Sequence, residues 1–298
     1  MHNATVKLVH QYQPITWVEN LAFRPNGFIL PIFELNTSSS LTQVNPKSGE
    51  SFEIYDFSAA GNSLSSISAV QPDLFAVVVT TCSDSPINCI TNSGSIWRVD
   101  LRSTKGSTRG ALVTEVAKIP AVDWPNGMAT FNDHIILLAD STLGGVWSID
   151  IGSGETNLLI TDPSMTGISA TNPIGINGIR YAPGELYFTN GAKSTLNRVC
   201  IDPITGYKTG DPEVIATGFN APDGFELDLA NGLAYVAGGR TDALLKVDLS
   251  TGSIEPIAAI PGPTSARFGV NRKLYVSTNG DFLQGNTTIG GAIYQVDV

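Results

Sequence analysis

Residues 146–155 read VWSIDIGSGE, a short alternating run that closes on Asp150 and passes into a turn with glycine. The same phrase returns along the chain. LTQVN (41–45), IWRVD (96–100), NRVCID (197–202), LLKVD (244–248) and IYQVD (293–297) close on Asn45, Asp100, Asp202, Asp248 and Asp297. With Asp150 in its place, the intervals are 55, 50, 52, 46 and 49 residues. Glycine turns also follow at PKSGE (46–50), PITGY (203–207) and LSTGS (249–253). Self-similarity at a period of about 50 residues marks a repeat architecture.

The order inside each unit is constant. A short apolar run (NLAF, ISAV, GMAT, GIRY, GFEL, SARF) meets a polar turn. A second apolar run follows (FILPIF, LFAVVV, IILLAD, LYFTN, LAYVAG, LYVST), then the run ending in Asp or Asn. A fourth run, such as SFEIYDF, LVTEVAKI or SIEPIAAI, completes the unit. Four short strands in each of six units predict an all-β fold, a six-bladed β-propeller with four antiparallel strands per blade. No stretch has a 3.6-residue period, which disfavours a helical solenoid. The sixth unit ends at Val298 without a fourth strand, and TVKLVHQY (5–12) resembles the missing one. The N-terminal strand is therefore expected to complete the last blade, leaving no open edge. No linker is visible, so residues 1–298 read as one domain.

Composition narrows the function. The net charge of −10 argues against nucleic acid, whose phosphates need a Lys/Arg surface, and against anionic membranes. No apolar run approaches the roughly 18 residues of a membrane helix. Hydrophobic residues make up 42%, enough for a full core, while charged residues make up 15%, so the surface must rely on Ser, Thr, Asn and Gln. Cys82 and Cys89 flank CSDSPINC, where a local disulfide is the natural reading and a metal pair the weaker one, with no histidine near. Cys200, inside LNRVCID, is expected to be a buried free thiol. Asn3, Asn36 and Asn286 open glycosylation sequons. With the expected disulfide, they imply a secretory-pathway product whose signal peptide has been removed.

Pro-Asn-Gly occurs twice, in FRPNGFIL (23–30) and WPNGMA (124–129). Aligning the units on their first strands separates the copies. Asn26 falls in the turn after the first strand and needs no further explanation. Asn126 falls at the strand entrance, and the matching positions elsewhere are Glu19, Ser66, Asn177, Asp223 and Thr264. First strands line the channel of a propeller, so these six residues should form a ring at one mouth. Every member carries a side-chain oxygen. Glu19, Asn126, Asn177 and Asp223 supply two carboxylates and two amide carbonyls, a hard donor set that suits Ca²⁺ and also Mg²⁺ or Mn²⁺. The plainer alternative is a hydrated polar channel mouth. Six oxygens in register favour the metal.

These residues also carry a likeness. The chain resembles the SMP-30/gluconolactonase-like six-bladed propellers, a superfamily of lactonases, phosphotriesterases and strictosidine-synthase-like proteins. That family holds a divalent metal with a Glu before the first strand, Asn before two others and Asp in a PDG motif. Glu19 in WVENLAF, Asn126 in WPNGMA, Asn177 in GINGIRY and Asp223 in NAPDGFELD match those places. The match implies that these four are metal ligands and catalytic residues. There are departures. Glu19-Asn20-Leu21 stands for Glu-Gly-Pro, and Trp124 stands where sugar-lactone members tend to have Arg. The histidine pair of paraoxonase-like members is not visible among His2, His10 and His134, and His134 is expected on a surface hairpin. Among secreted, fungal-looking members, the chain is similar to the hetero-Diels–Alderases of tropolone–sesquiterpenoid pathways.

Three functions follow as expectations. The first is a cyclase of secondary metabolism that orients apolar reactants. Trp124 would serve as a catalytic wall, and Trp17, Ser66, Phe219 and Thr264 would bind substrate. The second is a metal-assisted lactone or ester hydrolase, with Glu19 or Asp223 helping to orient water. The third is a ligand-binding propeller without chemistry, since the fold alone implies none. The expected partner is a small apolar substrate, and the expected cofactor a divalent cation with no organic group. The cyclase reading leads.

Overall fold

The computed structural model describes residues 4–35, 39–83, 89–282, 285 and 288–298. The sequons at Asn3, Asn36 and Asn286 lie outside the described residues. The chain forms six four-stranded antiparallel sheets, and in five of them the strands follow one another in chain order from the channel outward. The inner strands are Trp17–Phe23, Ser63–Gln71, Pro125–Thr130, Ile176–Ala182, Phe225–Asp228 and Pro263–Phe268. In the sixth sheet the outermost strand is Thr5–Gln11, paired antiparallel with Ala292–Asp297 from Thr5↔Asp297 to Gln11↔Ala292. The ring is thus closed by its own N-terminus, and the seam has no free edge.

Burial follows radial position. The second strand of the second blade, LFAVVVT (Leu74–Thr80), is buried at every residue. It has a neighbouring blade on each face, which is why it reads as an unbroken apolar run rather than an alternation. The outer strand LVTEVAK (Leu112–Lys118) is mostly exposed or half-buried. Among the described residues, six hydrophobic clusters fill the six interfaces between successive blades. The ring therefore stands on blade-to-blade burial.

The periodic Asp has a local cause. Asp150 Oδ1 accepts from the Gly152 and Ser153 backbone N–H groups at 2.7 and 2.8 Å. Asp202 does the same for Ile204 and Thr205, and Asp248 for Ser250 and Thr251. Each side chain caps the turn into the outer strand. These N–H bonds, Thr205 first, hold the Asp202 carboxyl below the usual range. Asn26 is used similarly, its Oδ1 accepting from Phe28 N at 3.0 Å in a turn that Gly27 completes at φ 88°.

Cys82 and Cys89 form a disulfide. Cys200 is a free thiol but is exposed, not buried as expected. It is the last residue of its strand, where its side chain faces outward while that of Val199 enters the core. No helix among the described residues is long and apolar enough to cross a membrane.

Candidate functional site at one mouth of the channel

Glu19, Asn126, Asn177 and Asp223 all line one cavity of about 380 Å³ at the entrance ends of the inner strands. The backbone there is irregular. The strand pairing slips at Glu19, between Val18 and Asn20. It also slips between Pro125 and Met128, Ile176 and Ile179, and Pro263 and Ser265. An extra residue in a ladder bends the strand and re-aims a side chain. In the second blade the residue passed over is Ser65, between Leu64 and Ser66, so the slip falls one position before the expected Ser66.

Gly127 explains the second Pro-Asn-Gly. It does not have a positive φ, unlike Gly27. A Cβ on Gly127 would come within 2.3 Å of the Asn177 carbonyl oxygen, and one on Gly178 within 2.9 Å of Gly224 Cα. A Cβ on Gly224 would meet Ser265 Oγ at 2.5 Å. Each glycine lets the next blade approach directly behind a ring residue. WPNGMA is therefore a strand entrance and not a turn.

Three buried or cavity-lining carboxylates face one another. Burial pushes Glu19 up to about 7, opposed by the Trp17 indole, whose Nε1–H donates to Glu19 Oε2 at 2.6 Å. Glu34 lies well above the carboxylate range, from burial first and then from Glu19 and Asp223. Asp223 is also raised, by burial and by Glu19, although Gly224 N and the Asn177 amide donate to it. Asn177 Oδ1 is buried with no hydrogen-bond partner among the described residues. The Asn126 side chain makes no hydrogen bond among the described residues, and it is 7% exposed. Among those residues no three His, Cys, Asp or Glu side chains form a ligand cluster by themselves. An ion here would need the amide oxygens as well.

Glu34 escaped the sequence reading. The available signal was a lone acid ending the apolar run FILPIFE, where a buried charge calls for a partner. Trp17, Trp124 and Ile174 supply the apolar wall, and Asn172, Asn220 and Arg240 the polar rim. The Trp124 backbone is clamped. Its N–H donates to Asp140 Oδ1 at 3.2 Å and its carbonyl accepts from Ser141 N at 2.9 Å. Trp17 meets Phe282 edge to face with ring centroids 5.6 Å apart.

Three expected contributors stand elsewhere. Phe219 is packed between the fourth and fifth blades with Leu196, Phe225 and Val236, and its successors Asn220 and Ala221 reach the cavity instead. Its ring is apolar and finds a fuller contact set between sheets than at a wet mouth. Thr264 Oγ1 donates to Val18 O at 2.6 Å and lies 2.9 Å from Ser277 Oγ, spent on joining the last blade to the first. Neither Thr264 nor the fully buried Ser66 lines the cavity. His134 is exposed on its hairpin, as expected.

No family model matches the chain. It is 25% identical over 309 residues to a Phoma sp protein named "Putative hetero-Diels-Alderase", covering 92% of this chain and 86% of that one. It is also 25% identical over 313 residues to "Putative hetero-Diels-Alderase asR5" from Sarocladium schorii, covering 91% and 77%. Among solved structures, a calcium-binding protein, regucalcin, from Agrobacterium tumefaciens superposes with a TM-score of 0.68 at 18% identity. That superposition covers 100% of this chain and 95% of the other, and shows the fold alone. The superposition supports the propeller fold, and the two named proteins are what the chain is similar to in sequence.

Proposed function

We propose that the chain is a small-molecule enzyme that works in the acidic-mouth cavity as a hetero-Diels–Alder cyclase. The observation that carries this reading is the composition of that one cavity. Two indoles and Ile174 wall it, while an unengaged amide and buried acids face them. The named relatives support it.

A hetero-Diels–Alder reaction joins a four-atom heterodiene, such as an enone, to an alkene. One C–O and one C–C σ bond form at the expense of the C=O and two C=C π bonds, one new C=C remains, no atom leaves, and no proton is exchanged. The protein therefore needs to hold and polarise, and it needs no strong acid or base. Trp17 and Trp124 stack the two apolar reactants and exclude water. Holding reactants in register can be worth about 7–11 kcal/mol. The Asn126 amide N–H, which has no acceptor among the described residues, donates to the heterodiene oxygen and draws density from the diene. Glu19, Asn126, Asn177 and Asp223 would hold a divalent cation, with Glu34 beside them. The orphaned Asn177 Oδ1 and the mutual repulsion of the acids fit that role. When bound, such an ion polarises a carbonyl oxygen. The disulfide supports a place in the secretory pathway, where thiols are oxidised.

The test is direct. Purified protein is incubated with an enone and a terpene alkene, and separately with a panel of lactones, with and without Ca²⁺. The reading requires an adduct formed faster and with higher stereoselectivity than without protein. Turnover confined to lactones would replace it with the hydrolase.

A further inference from the structure

The channel has a second, chemically opposite mouth. The acidic cavity draws on the starts of the inner strands. A second cavity, also about 380 Å³, draws on their ends, including Phe23, Ser68, Thr130, Arg180, Glu226 and Arg267. Nothing in the proposed reaction uses it.

Arg180 is 5% exposed. Its Nη1 donates to Ile179 O at 2.6 Å and its Nη2 to Ala266 O at 3.2 Å, while the guanidinium lies 5.3 Å from the Phe225 ring centroid. Its Nε is buried without a hydrogen bond, 3.6 Å from Glu226 Oε1. Arg267 Nε is likewise buried and has no partner among the described residues. Guanidinium groups do not deprotonate in proteins, so both remain charged. Glu226 is the one carboxylate among the residues lining this cavity, and its oxygens already accept from Leu227 N and Phe268 N at 2.9 and 3.0 Å. The neighbouring Arg272 is balanced separately by Asp228 at 3.2 Å. The Thr130 hydroxyl donates to Ala69 O at 2.8 Å, which leaves Ser68 Oγ–H to donate to Thr130 Oγ1 at 2.8 Å.

Two cations thus face one anion that is already partly spent. A buried charge without a partner is costly, and proteins rarely keep one without use. Both guanidiniums line the cavity, and that of Arg267 makes no hydrogen bond among the described residues, so its terminal N–H groups match the oxygens of a carboxylate or phosphate, to which guanidinium groups bond most strongly. We propose that this second mouth is a binding site for a small oxyanion, held by Arg180 and Arg267 with Glu226 setting the charge balance. It does not depend on the cyclase reading.

The experiment measures binding of inorganic phosphate and, separately, succinate, by calorimetry and thermal shift against sodium chloride at matched ionic strength. One of the two should bind with a Kd below about 1 mM, and which one does identifies the source. Arg267→Gln should weaken binding at least about tenfold, the equivalent of one lost charge-assisted hydrogen bond. Glu226→Gln should tighten it, and Trp124→Ala at the other mouth should leave it unchanged. Failure of both anions to exceed chloride, or unchanged affinity in Arg267→Gln, overturns the proposal. If Arg267→Gln does not fold, an affinity in Glu226→Gln equal to that of the parent overturns it equally.

Discussion

Trp17 and Glu19, two residues apart on one strand, are joined side chain to side chain by an indole hydrogen bond of 2.6 Å at the channel mouth. Burial raises the Glu19 pKa from 4.5 to about 7 in spite of that bond. Between those values the folded chain keeps a proton that the unfolded chain has lost. The Glu19 contribution to the stability of the metal-free protein therefore falls as pH rises from 4.5 to about 7, and is flat above. A shift of this size corresponds to roughly 3 kcal/mol at most. Urea melts at pH 5 and pH 8 in chelator check it. Trp17→Phe should carry the loss to higher pH, because the bond that favours the carboxylate is gone. Greater stability at pH 8 than at pH 5 would contradict this account.

Glu34 faces Glu19 and Asp223 without a compensating cation among the described residues. Glu34→Gln should raise stability at pH 8 in chelator. Added Ca²⁺ should stabilise the parent at pH 8 by more than it does at pH 5, and its binding should release protons. Calorimetry in two buffers of different ionisation enthalpy reads that release. Identical heats in both buffers would argue against ionisation of these acids on metal binding.

Trp124 is held by its clamped backbone against the cavity. Trp124→Arg would place a charge against apolar reactants, and it should lower cyclisation by tenfold or more, by about 1.4 kcal/mol of barrier. Turnover of polar lactones should appear only if the hydrolase reading is right. Unchanged rates on every substrate would reduce Trp124 to packing.

Arg24 is fully buried between the first two blades. It pairs with Asp73 at 2.7 Å and donates to Gln43, Thr104 and the Ser107 carbonyl. Arg24→Met should cost about 3–5 kcal/mol, since it strands several buried acceptors at once. Chemical denaturation measures it. A loss below about 1 kcal/mol would mean that water replaces the guanidinium at little cost.

Deleting residues through His10 removes most of the strand that closes the last blade, with Val9 leaving the cluster at the seam. The whole ring should melt earlier, in one transition. An unchanged melting temperature would show that the seam contributes nothing to stability.

What the sequence determined by itself was repetitive and local. The recurring Asp marks a turn that its own side chain caps, and the apolar runs mark strands whose neighbours are fixed by the repeat. Strand number, blade order and the closing N-terminal strand follow from those alone. The convergence of Glu19, Asn126, Asn177 and Asp223 on one mouth was legible for the same reason, as equivalent positions of equivalent strands. Tertiary structure decided the rest. Glu34 enters the site because a second strand ends beside a first, and Phe219 leaves it because a gap between sheets holds the ring better than the mouth does. Whether Ser65 or Ser66 sits at the slip, and that Cys200 points outward, depend on the side-chain alternation along each strand. A one-residue slip exchanges the two faces of a strand, and no single strand records where its ladder slips. Arg180 and Arg267 come from different blades, and only closure of the ring sets their charges against each other at the far mouth.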